Sequence, residues 1–475
     1  MSYKLGFNLI LFLFISGFLF SQNGYDIKIR IKNYENDTLI VGNYFGERQI
    51  VKDTLYALKK GEFVFKSDKA LEPGMYLILI KPDNNFIQFL INDKEQKFSI
   101  ETDASDLSHV KFKGSKDNDA FYAYIEFLKS RREKSESLRE AKSKAEEAEA
   151  DISSIQAELD QLDNEVKAYQ NKIIKEYKGY LISELILANR DFDIPEFEGT
   201  DEEKQRKRYY YYKDHYFDNL NPSSNFFLRS PFGFNKIDGY ITKVVVQVPD
   251  SINAALDRVL ALVEPNEETF RYYLSHYLNT YSRSKVIGSD AMAVHLIDNY
   301  YLKGKAPWVA EENLEKIEKN ANDLRPLLIG KKFPNIKTFT EDQQLIELHK
   351  IKSEYTLLLF WANDCGHCKK AMPHFVSYFN KYKDKIDMSF VTVCTAVQDK
   401  VANCWEGVKE KNMGDFINTA DEYARWRRDV VINSTPRIFV LNRDKEILIK
   451  DIPAEKIEEV MENIIRIEED KKASK

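Results

Sequence analysis

The spacing of apolar residues changes twice along this chain of 475 residues, and these changes restrict its fold more than any other feature. From residue 24 to about 115, apolar and polar residues alternate. From about residue 118 the spacing is helical, and from about residue 326 short buried runs alternate with helical segments. A chain of this length also exceeds one ordinary hydrophobic core. We therefore expect a multidomain protein with an all-β part, an α-helical part and an α/β part, in that order.

The first region, which we place at residues 22–117, is predicted to be an all-β sandwich. Short runs rich in Ile, Val, Phe and Tyr are separated by turn residues, which is typical of an antiparallel sandwich or barrel of about six to eight strands. The region contains one histidine, His109, and no catalytic arrangement of acids. We therefore expect a binding or scaffolding module. The runs are YDIKIRIKNY, DTLIVGNYF, GEFVFKS, GMYLILIK, FIQFLIND and KFSIETD.

The second region, residues 118–325, is predicted to be helical, with a coiled coil at residues 138–173. Apolar residues recur there at alternating intervals of three and four, and the positions between them are mostly Glu, Lys, Asp and Gln, which is the pattern of a coiled-coil seam. The seam predicts either a homodimer through this helix or an intramolecular helical hairpin with a neighbouring segment. Its positions are Leu138, Ala141, Ala145, Ala148, Ile152, Ile155, Leu159, Leu162, Val166, Tyr169 and Ile173.

Composition argues against a nucleic-acid partner. The chain has 70 basic and 76 acidic residues, closely mixed, and a formal charge of -6. A dedicated nucleic-acid-binding protein instead concentrates basic residues on one face. Three histidines of the helical region, His215, His276 and His295, lack the i, i+4 pairing of helical metal sites, and we interpret them as structural.

Residues 1–21 have the layout of a secretory signal peptide. Lys4 precedes the apolar stretch Leu5–Phe20, and small and polar residues follow. An uncleaved membrane anchor is the alternative, because Leu19 is large for the third position before a cut after Ser21. The stretch is short for a membrane span, which needs about 20 apolar residues. We expect an exported, periplasmic protein in a compartment that permits disulfide chemistry.

The third region, residues 326–475, predicts an α/β fold. After a Gly/Lys/Pro connector, the elements follow the order β-α-β-α-β-β-α, with a helical interval reaching to about residue 427. The last two strands are expected to form a hairpin. The segments are the strand YTLLLFWA, the helix CKKAMPHFVSYFNKYKD, the strand DMSFVTVCT, the strands PRIFVLN and EILIKDI, and the helix AEKIEEVMENIIRIEED.

All four cysteines lie in this third region, and Cys365 and Cys368 are the candidate reactive pair. A structural zinc site needs a second close pair of soft ligands, which Cys394 and Cys404 do not supply. A static disulfide over so short a loop removes little chain entropy. Redox exchange fits best, because Cys365 follows a buried strand and opens a helix whose N-terminus stabilises a thiolate. Cys368, one turn later, can resolve a mixed disulfide.

A second element, Thr435-Pro436, stands immediately before a strand some 70 residues after the thiols. With it, the region resembles the thioredoxin superfamily, and at its entrance the TlpA/ResA-like thiol-disulfide oxidoreductases of the cell envelope. The resemblance implies a cis-proline that faces the dithiol and a preceding residue whose backbone pairs with an extended substrate segment. The residues that carry it are Trp361, Cys365, Gly366, His367, Cys368, Pro373, Thr435 and Pro436, with LLIGKKFPNI at the entrance.

The upstream regions carry a weaker resemblance of their own. They are similar to a group of Gram-negative envelope thioredoxins in which a β-rich domain and a helical domain, both of unknown function, precede the redox module. The stretches FKGSKDNDAF (112–121) and HYFDNLN…FLRSPF (215–232) carry this similarity.

The reactive site departs from the thioredoxin pattern in several positions. Asp364 stands where tryptophan is common, and its negative charge opposes formation of the Cys365 thiolate. His367, in its charged form, would stabilise that thiolate. The dipeptide Gly-His is that of protein disulfide isomerases, which are milder reductants than thioredoxin. Leu359 and Ala371 occupy two positions where relatives carry acids that assist proton transfer.

Cys394 and Cys404 form a possible second thiol pair. They could form a disulfide that buffers or gates the first pair, or remain as a buried free thiol and a semi-exposed one. We favour the free thiols.

We therefore expect an exported thiol-disulfide oxidoreductase, a reductase or isomerase of protein disulfides, in which Cys365 attacks and Cys368 resolves. It needs no dissociable cofactor, since electrons would come from a partner thiol protein. The alternative is an envelope interaction protein whose thioredoxin fold only docks partners. The residues expected to tune the site or shape its substrate groove are Trp361, Asp364, His367, Thr435 and Pro436.

Overall fold

The computed structural model describes residues 24–82, 84–190 and 192–473. The predicted signal peptide, residues 1–21, lies outside these ranges. The described residues divide into two compact units. The first extends to Val245 and includes Ala261–Phe270, and the second comprises Val246–Leu260 and the residues from Arg271 onward. Within the described ranges, the longest helices are too polar to cross a membrane.

The first unit begins with a β-sandwich, which confirms the predicted class. Its two four-stranded sheets have the orders β4-β1-β7-β8 and β3-β2-β5-β6. One pair departs from the predicted antiparallel arrangement, because β1 and β7 run parallel. The eight strands are β1 (Tyr25–Lys32), β2 (Thr38–Phe45), β3 (Arg48–Tyr56), β4 (Glu62–Ser67), β5 (Gly74–Ile80), β6 (Asn85–Ile91), β7 (Lys97–Asp103) and β8 (Asp106–Lys113).

The six apolar runs of the sequence did not predict strands β3 and β8. Both are edge strands. In β3 only Leu55 is buried, and β8 has no fully buried residue. An edge strand with little buried surface lacks the alternation of apolar and polar residues that identifies a half-buried strand. The sequence pattern therefore predicts the six strands with an apolar face and misses these two.

The predicted coiled-coil seam is divided between two helices, α1 (Lys116–Glu147) and α2 (Ser153–Glu176). A continuous helix over residues 138–173 is therefore wrong. The chain turns back at Ala148–Ile152, where Glu149 adopts a left-handed conformation with φ 52°.

The two helices form an intramolecular hairpin whose turn lies inside the seam, so it differs from the predicted hairpin of one continuous seam helix with a neighbouring segment. Phe127 stacks on Tyr169 with ring centroids 4.0 Å apart. Arg131 approaches Glu165 to 3.4 Å, and the Lys142 ammonium donates a hydrogen bond to Gln156. The part of the seam in α2 thus packs mainly against α1 residues that precede the seam, and the two parts of the seam approach each other near the turn.

Asp117, in the first turn of α1, joins the sandwich to the helices of the first unit. Its buried carboxylate accepts hydrogen bonds from Asn92 Nδ2 at 2.6 Å and from the backbone N–H groups of Leu181 at 3.0 Å and Ile182 at 2.8 Å. A carboxylate at a helix N-terminus satisfies N–H groups that have no partner within the helix. The remaining helices before the third region are α3 (Leu181–Asn189), α4 (Asp201–His215), α5 (Asn225–Leu228), α6 (Pro231–Gly239), α7 (Pro249–Val263), α8 (Glu267–Arg283), α9 (Ser289–Leu296) and α10 (Glu311–Leu324).

The second unit contains a seven-stranded sheet of order β10-β9-β13-β12-β11-β14-β15. The predicted α/β fold is confirmed, and β14 and β15 form the expected antiparallel hairpin. The two short strands β9 and β10 were not expected, and β13 lies within the interval predicted to be helical. These elements are β9 (Lys337–Phe339), β10 (Leu345–Glu347), β11 (Tyr355–Trp361), α11 (Gly366–Tyr382), β12 (Met388–Cys394), α12 (Ala402–Glu410), β13 (Ile417–Ala420), β14 (Arg437–Leu441), β15 (Ile447–Lys450) and α13 (Ile457–Ala473).

Strand β11 positions the reactive cysteines. All seven of its residues are buried, and their side chains alternate between the two faces of the sheet. Leu359 and Trp361 belong to the core that contains Cys368, whereas Phe360 packs in the opposite core against Trp426. Strand β14 runs antiparallel to β11 and starts where β11 ends, so the residues before β14 lie at the same edge of the sheet as the start of α11.

Candidate active site

Cys365 is the N-cap residue of α11, at the end of the turn that follows β11. Its backbone is extended, with φ -77° and ψ 114°, and its sulfur accepts a hydrogen bond from the Cys368 N–H at 3.1 Å. The side chain is partly exposed. Free N–H groups and the positive end of the helix dipole favour a negative charge at this position. The site is therefore suited to a thiolate.

The pKa of the Cys365 thiol lies below its ordinary value. Burial by itself raises this pKa, but hydrogen bonds from the side chains of Cys368 and Thr435 lower it. The backbone N–H groups of Cys368 and His367 lower it further. These donors lose strength when the sulfur is protonated, so they stabilise the thiolate selectively.

Cys368 lies one turn further into α11 and is fully buried. Burial first, and then the hydrogen bond with Cys365, raises the pKa of the Cys368 thiol to about 12. The two sulfurs therefore differ in solvent exposure and in the pKa of their thiols. Cys365 can react with a molecule in solution, and Cys368 remains protonated beneath it.

Thr435 and Pro436 face this pair across the edge of the sheet. Their peptide bond is cis. The Thr435 carbonyl oxygen accepts a hydrogen bond from the Cys365 thiol, with a sulfur–oxygen distance of 3.2 Å. A contact between residues 70 positions apart shows that the fold joins the two motifs found in the sequence.

The other predicted site residues surround the cysteines at different depths. Asp364 and His367 are exposed on either side of Cys365. Trp361 is fully buried, and its indole Nε1 finds no hydrogen-bond partner within the described ranges. Leu359 is fully buried and Ala371 is nearly so. The buried side of the pair is therefore apolar at both positions where an acid would assist proton transfer.

Sequence reasoning missed a polar cluster behind Trp361. The Lys411 ammonium donates a hydrogen bond to the Asn363 side chain and lies 5.4 Å from the centroid of the Trp361 ring. Gly407 allows this close packing, since a Cβ there would lie 2.9 Å from the ring and 2.5 Å from Asn363 Oδ1. These residues hold the turn before Cys365. Only the tertiary fold brings them to the turn, because they follow it by more than 40 positions.

Cys394 and Cys404 form a disulfide, so our interpretation of them as free thiols was wrong. Their Cα atoms are 6.1 Å apart, within the range that a disulfide spans. Cys404 lies in α12, and both residues are buried. The sequence predicted one undivided helical interval here and did not give the bounds of α12. It therefore could not show that this helix places Cys404 next to the end of β12. The bond ties α12 to the strand beside β11.

The histidines interpreted as structural contact acids or aromatic rings. His215 lies 2.6 Å from Asp218, and His295 lies 2.8 Å from Asp257. His276 stacks on Tyr272. Across residues 24–82, 84–190 and 192–473, no group of three or more His, Cys, Asp or Glu side chains is arranged to hold a metal ion.

Three family models match successive parts of the chain. Residues 25–121 match a domain of unknown function (DUF4369), residues 190–326 match a second (DUF5106), and residues 328–465 match Redoxin. None of the curated proteins compared with the chain matches it.

Several solved structures are also similar. A thioredoxin-like protein from Bacteroides caccae is 14% identical, with 57% of this chain and 98% of that chain covered and a TM-score of 0.43. A domain of a possible thiol-disulfide isomerase from Cytophaga hutchinsonii is 25% identical over 31% of this chain and 98% of its own, with a TM-score of 0.28. A putative thiol:disulfide interchange protein DsbE from Chlorobium tepidum is 21% identical over 29% and 96%, with a TM-score of 0.26.

The Redoxin match covers the region that carries Cys365, Cys368 and the cis-proline. It confirms the predicted resemblance to thioredoxins, and the two preceding matches confirm that domains of unknown function stand before it. This chain therefore carries a thioredoxin-like domain of the Redoxin family, preceded by two domains of unknown function.

Proposed function

We propose that the protein is an exported thiol-disulfide oxidoreductase that reduces or isomerises disulfides of other proteins. One observation carries the proposal: a partly exposed Cys365 of lowered pKa lies at a helix N-terminus, with a buried Cys368 of raised pKa one turn behind it. This is the asymmetry that a two-step exchange requires, because one thiol must attack and the other must wait.

In the first step the Cys365 thiolate attacks one sulfur of a substrate disulfide. The bond between the two substrate sulfurs breaks as the bond to Cys365 forms, and the displaced substrate thiolate takes up a proton. The backbone of Thr435, next to the cis-proline, can hold the substrate as an added strand. The product is a mixed disulfide between Cys365 and the substrate.

In the second step Cys368 resolves the mixed disulfide. Once Cys365 is bonded it carries no charge and no proton, so its contribution to the high pKa of Cys368 is removed. Cys368 gives its proton to solvent water and its thiolate attacks the Cys365 sulfur. The bond between Cys365 and the substrate breaks, and the released substrate thiolate takes up a proton. The electron balance is one substrate disulfide reduced and one Cys365–Cys368 disulfide formed. A partner thiol protein, the electron donor, must then reduce that disulfide.

Export is part of the proposal and is supported by the signal-peptide layout of residues 1–21. We expect the protein in the periplasmic fraction of the cell. Detection of the full amount in the cytoplasmic fraction would contradict this part alone.

The exchange is tested by trapping. In Cys368→Ser the mixed disulfide cannot be resolved by the second thiol, so we expect covalent partners on a non-reducing gel that dithiothreitol releases. Cys365→Ser is the matched control and should trap none. In parallel, the purified protein is equilibrated with glutathione buffers of graded potential, and the Cys365–Cys368 pair should pass between dithiol and disulfide.

The alternative function is an interaction protein whose thioredoxin fold only docks partners. That function predicts an inert pair in the glutathione titration and equal, non-covalent capture by both variants. Either result would replace the enzyme with the docking protein.

A further inference from the structure

A groove of about 610 Å³ opens beside the reactive cysteines. Thr435 and Pro436 line it, so it continues the surface on which a substrate segment would pair. One side of the groove is formed by α11 and the other by the segment from Asp451 to Glu455. The groove therefore contacts the residues that flank a substrate cysteine.

The α11 side of this groove is basic. His367, Lys370 and His374 all line it, and their spacing of three and then four residues places them on one face of the helix. All three are exposed. Across the described part of the chain, no acidic side chain forms an ion pair or hydrogen bond with any of them. The Lys370 ammonium and the two imidazoles are therefore available to a bound molecule.

The opposite side of the groove carries two acids, Asp451 and Glu455, and the charge of Asp451 is offset by Arg437. Arg437 Nε lies 3.0 Å from Asp451 Oδ1, and the Arg437 side chain is mostly buried. Glu455 is exposed. The basic residues thus lie on the same helix as the cysteines, and the exposed acid lies across the groove from them.

We propose that this groove selects disulfides whose reactive cysteine is flanked by an acidic residue, with Lys370 and His374 as the specificity-determining residues. The inference rests on the proposed function and names its substrate class. Side chains of an extended segment alternate in direction at about 3.3 Å per residue, so the residues two positions before and after the reactive cysteine point towards α11 as the cysteine does. A carboxylate there can pair with the Lys370 ammonium and accept a hydrogen bond from the His374 imidazole, whereas an ammonium group meets the like charge of Lys370.

The test compares two disulfide-linked peptides that differ only in the residues two positions before and after cysteine, Glu in one and Lys in the other. The measured quantity is the ratio of kcat/KM for the Glu peptide to that for the Lys peptide. For the unmodified protein we expect a ratio of about five to ten at low ionic strength, which is the size of effect expected of one or two exposed charge contacts. Added salt should reduce the ratio.

Two variants separate the groove from a general charge effect. The double variant Lys370→Glu with His374→Glu should bring the ratio below one. Lys369→Glu makes the same lysine-to-glutamate change one position away, outside the groove lining, and should leave the ratio unchanged. Because both peptides react with the same thiol, the ratio cancels any change in the reactivity of Cys365.

The outcomes distinguish this inference from the function on which it rests. A ratio near one for the unmodified protein, or an equal shift in Lys369→Glu and the double variant, overturns the inference. Hydroxyethyl disulfide, a small uncharged substrate, reports on Cys365 alone. If neither peptide nor hydroxyethyl disulfide is reduced, the proposed function fails, and the inference fails with it.

Discussion

Two cysteines three positions apart on one helix acquire opposite properties in this structure. Cys365 lies where the helix has free N–H groups, and its sulfur accepts a hydrogen bond from one of them. Cys368 lies inside the first turn and is covered by the core of the domain. The difference comes from position alone, because the two side chains are chemically identical. A thiolate is stabilised at one place and its formation is opposed at the other.

We expect the reduced protein to be alkylated at Cys365 well before Cys368 near neutral pH. The lowered pKa of Cys365 means that its thiolate persists below the usual range of a thiol. The alkylation rate should therefore fall as the pH is lowered through that pKa. Cys368, with a pKa of about 12, should react only in strongly alkaline solution. Iodoacetamide labelling at graded pH, followed by mass spectrometry of each peptide, measures both rates.

Substitution of Cys368 tests the cause of this shift. Cys368→Ala removes the thiol that hydrogen-bonds to Cys365 and should move the alkylation midpoint to higher pH, whereas Cys368→Ser keeps a donor and should move it less. An equal midpoint in the two variants would show that the Cys368 side chain does not stabilise the thiolate.

Asp117 is the buried residue on which the first unit should depend most. Burial raises the pKa of its carboxyl, yet the group still accepts three hydrogen bonds. Asp117→Ala would leave buried donors without an acceptor, at a cost of about 2–3 kcal/mol. We expect a lower midpoint in urea denaturation followed by circular dichroism. Asp119→Ala is the control, because Asp119 is exposed on the same turn. Equal losses in the two variants would contradict the role of Asp117.

At the scale of elements, the disulfide between Cys394 and Cys404 fastens α12 to the end of β12. It closes a loop with a sequence separation of 10, for which the loss of chain entropy in the unfolded state corresponds to about 2–3 kcal/mol. We expect the free energy of unfolding of the double variant Cys394→Ala with Cys404→Ala to be lower by that amount, measured as a lower midpoint in urea denaturation.

The same variant separates a supporting role from a redox role for this disulfide. If the bond only fixes the position of α12 against β12, the variant should still form a disulfide between Cys365 and Cys368 at the same glutathione potential. A changed potential would indicate that the second disulfide alters the relative stability of the dithiol and disulfide forms of the first pair. Thiol counting by mass spectrometry at each potential measures this.

The elements that the sequence predicted are those that bury one face or carry a local motif. Strand β11 and helix α11 are examples, because a buried run and the Cys-x-x-Cys spacing are both local signals. The missed features depend on contacts between distant residues. Strand β3 is recognisable only by its pairing with β2. Lys411 reaches Asn363, and His374 lines the groove with Pro436, only after the chain has folded.

At the scale of the whole molecule, the division of the seam into α1 and α2 changes the expected assembly. A continuous helix would expose its apolar edge to a second chain. In the hairpin, Leu162 and Ile173 are buried, and most other seam residues are partly covered. Since the two helices cover each other, little apolar surface remains for a dimer, and stable dimers bury about 1,200 Å² or more.

We therefore expect the full chain to sediment as a monomer at micromolar concentration. A variant in which residues 138–159 are replaced by a short glycine-rich turn removes the outer part of both helices and keeps the stack of Phe127 on Tyr169. Its sedimentation mass should decrease only by the mass of the deleted residues. If the full chain sediments as a dimer and the shortened variant as a monomer, the seam is an interface between chains. A dimer for both proteins would place the interface elsewhere. That result would contradict the expected monomer but agree with a closed hairpin.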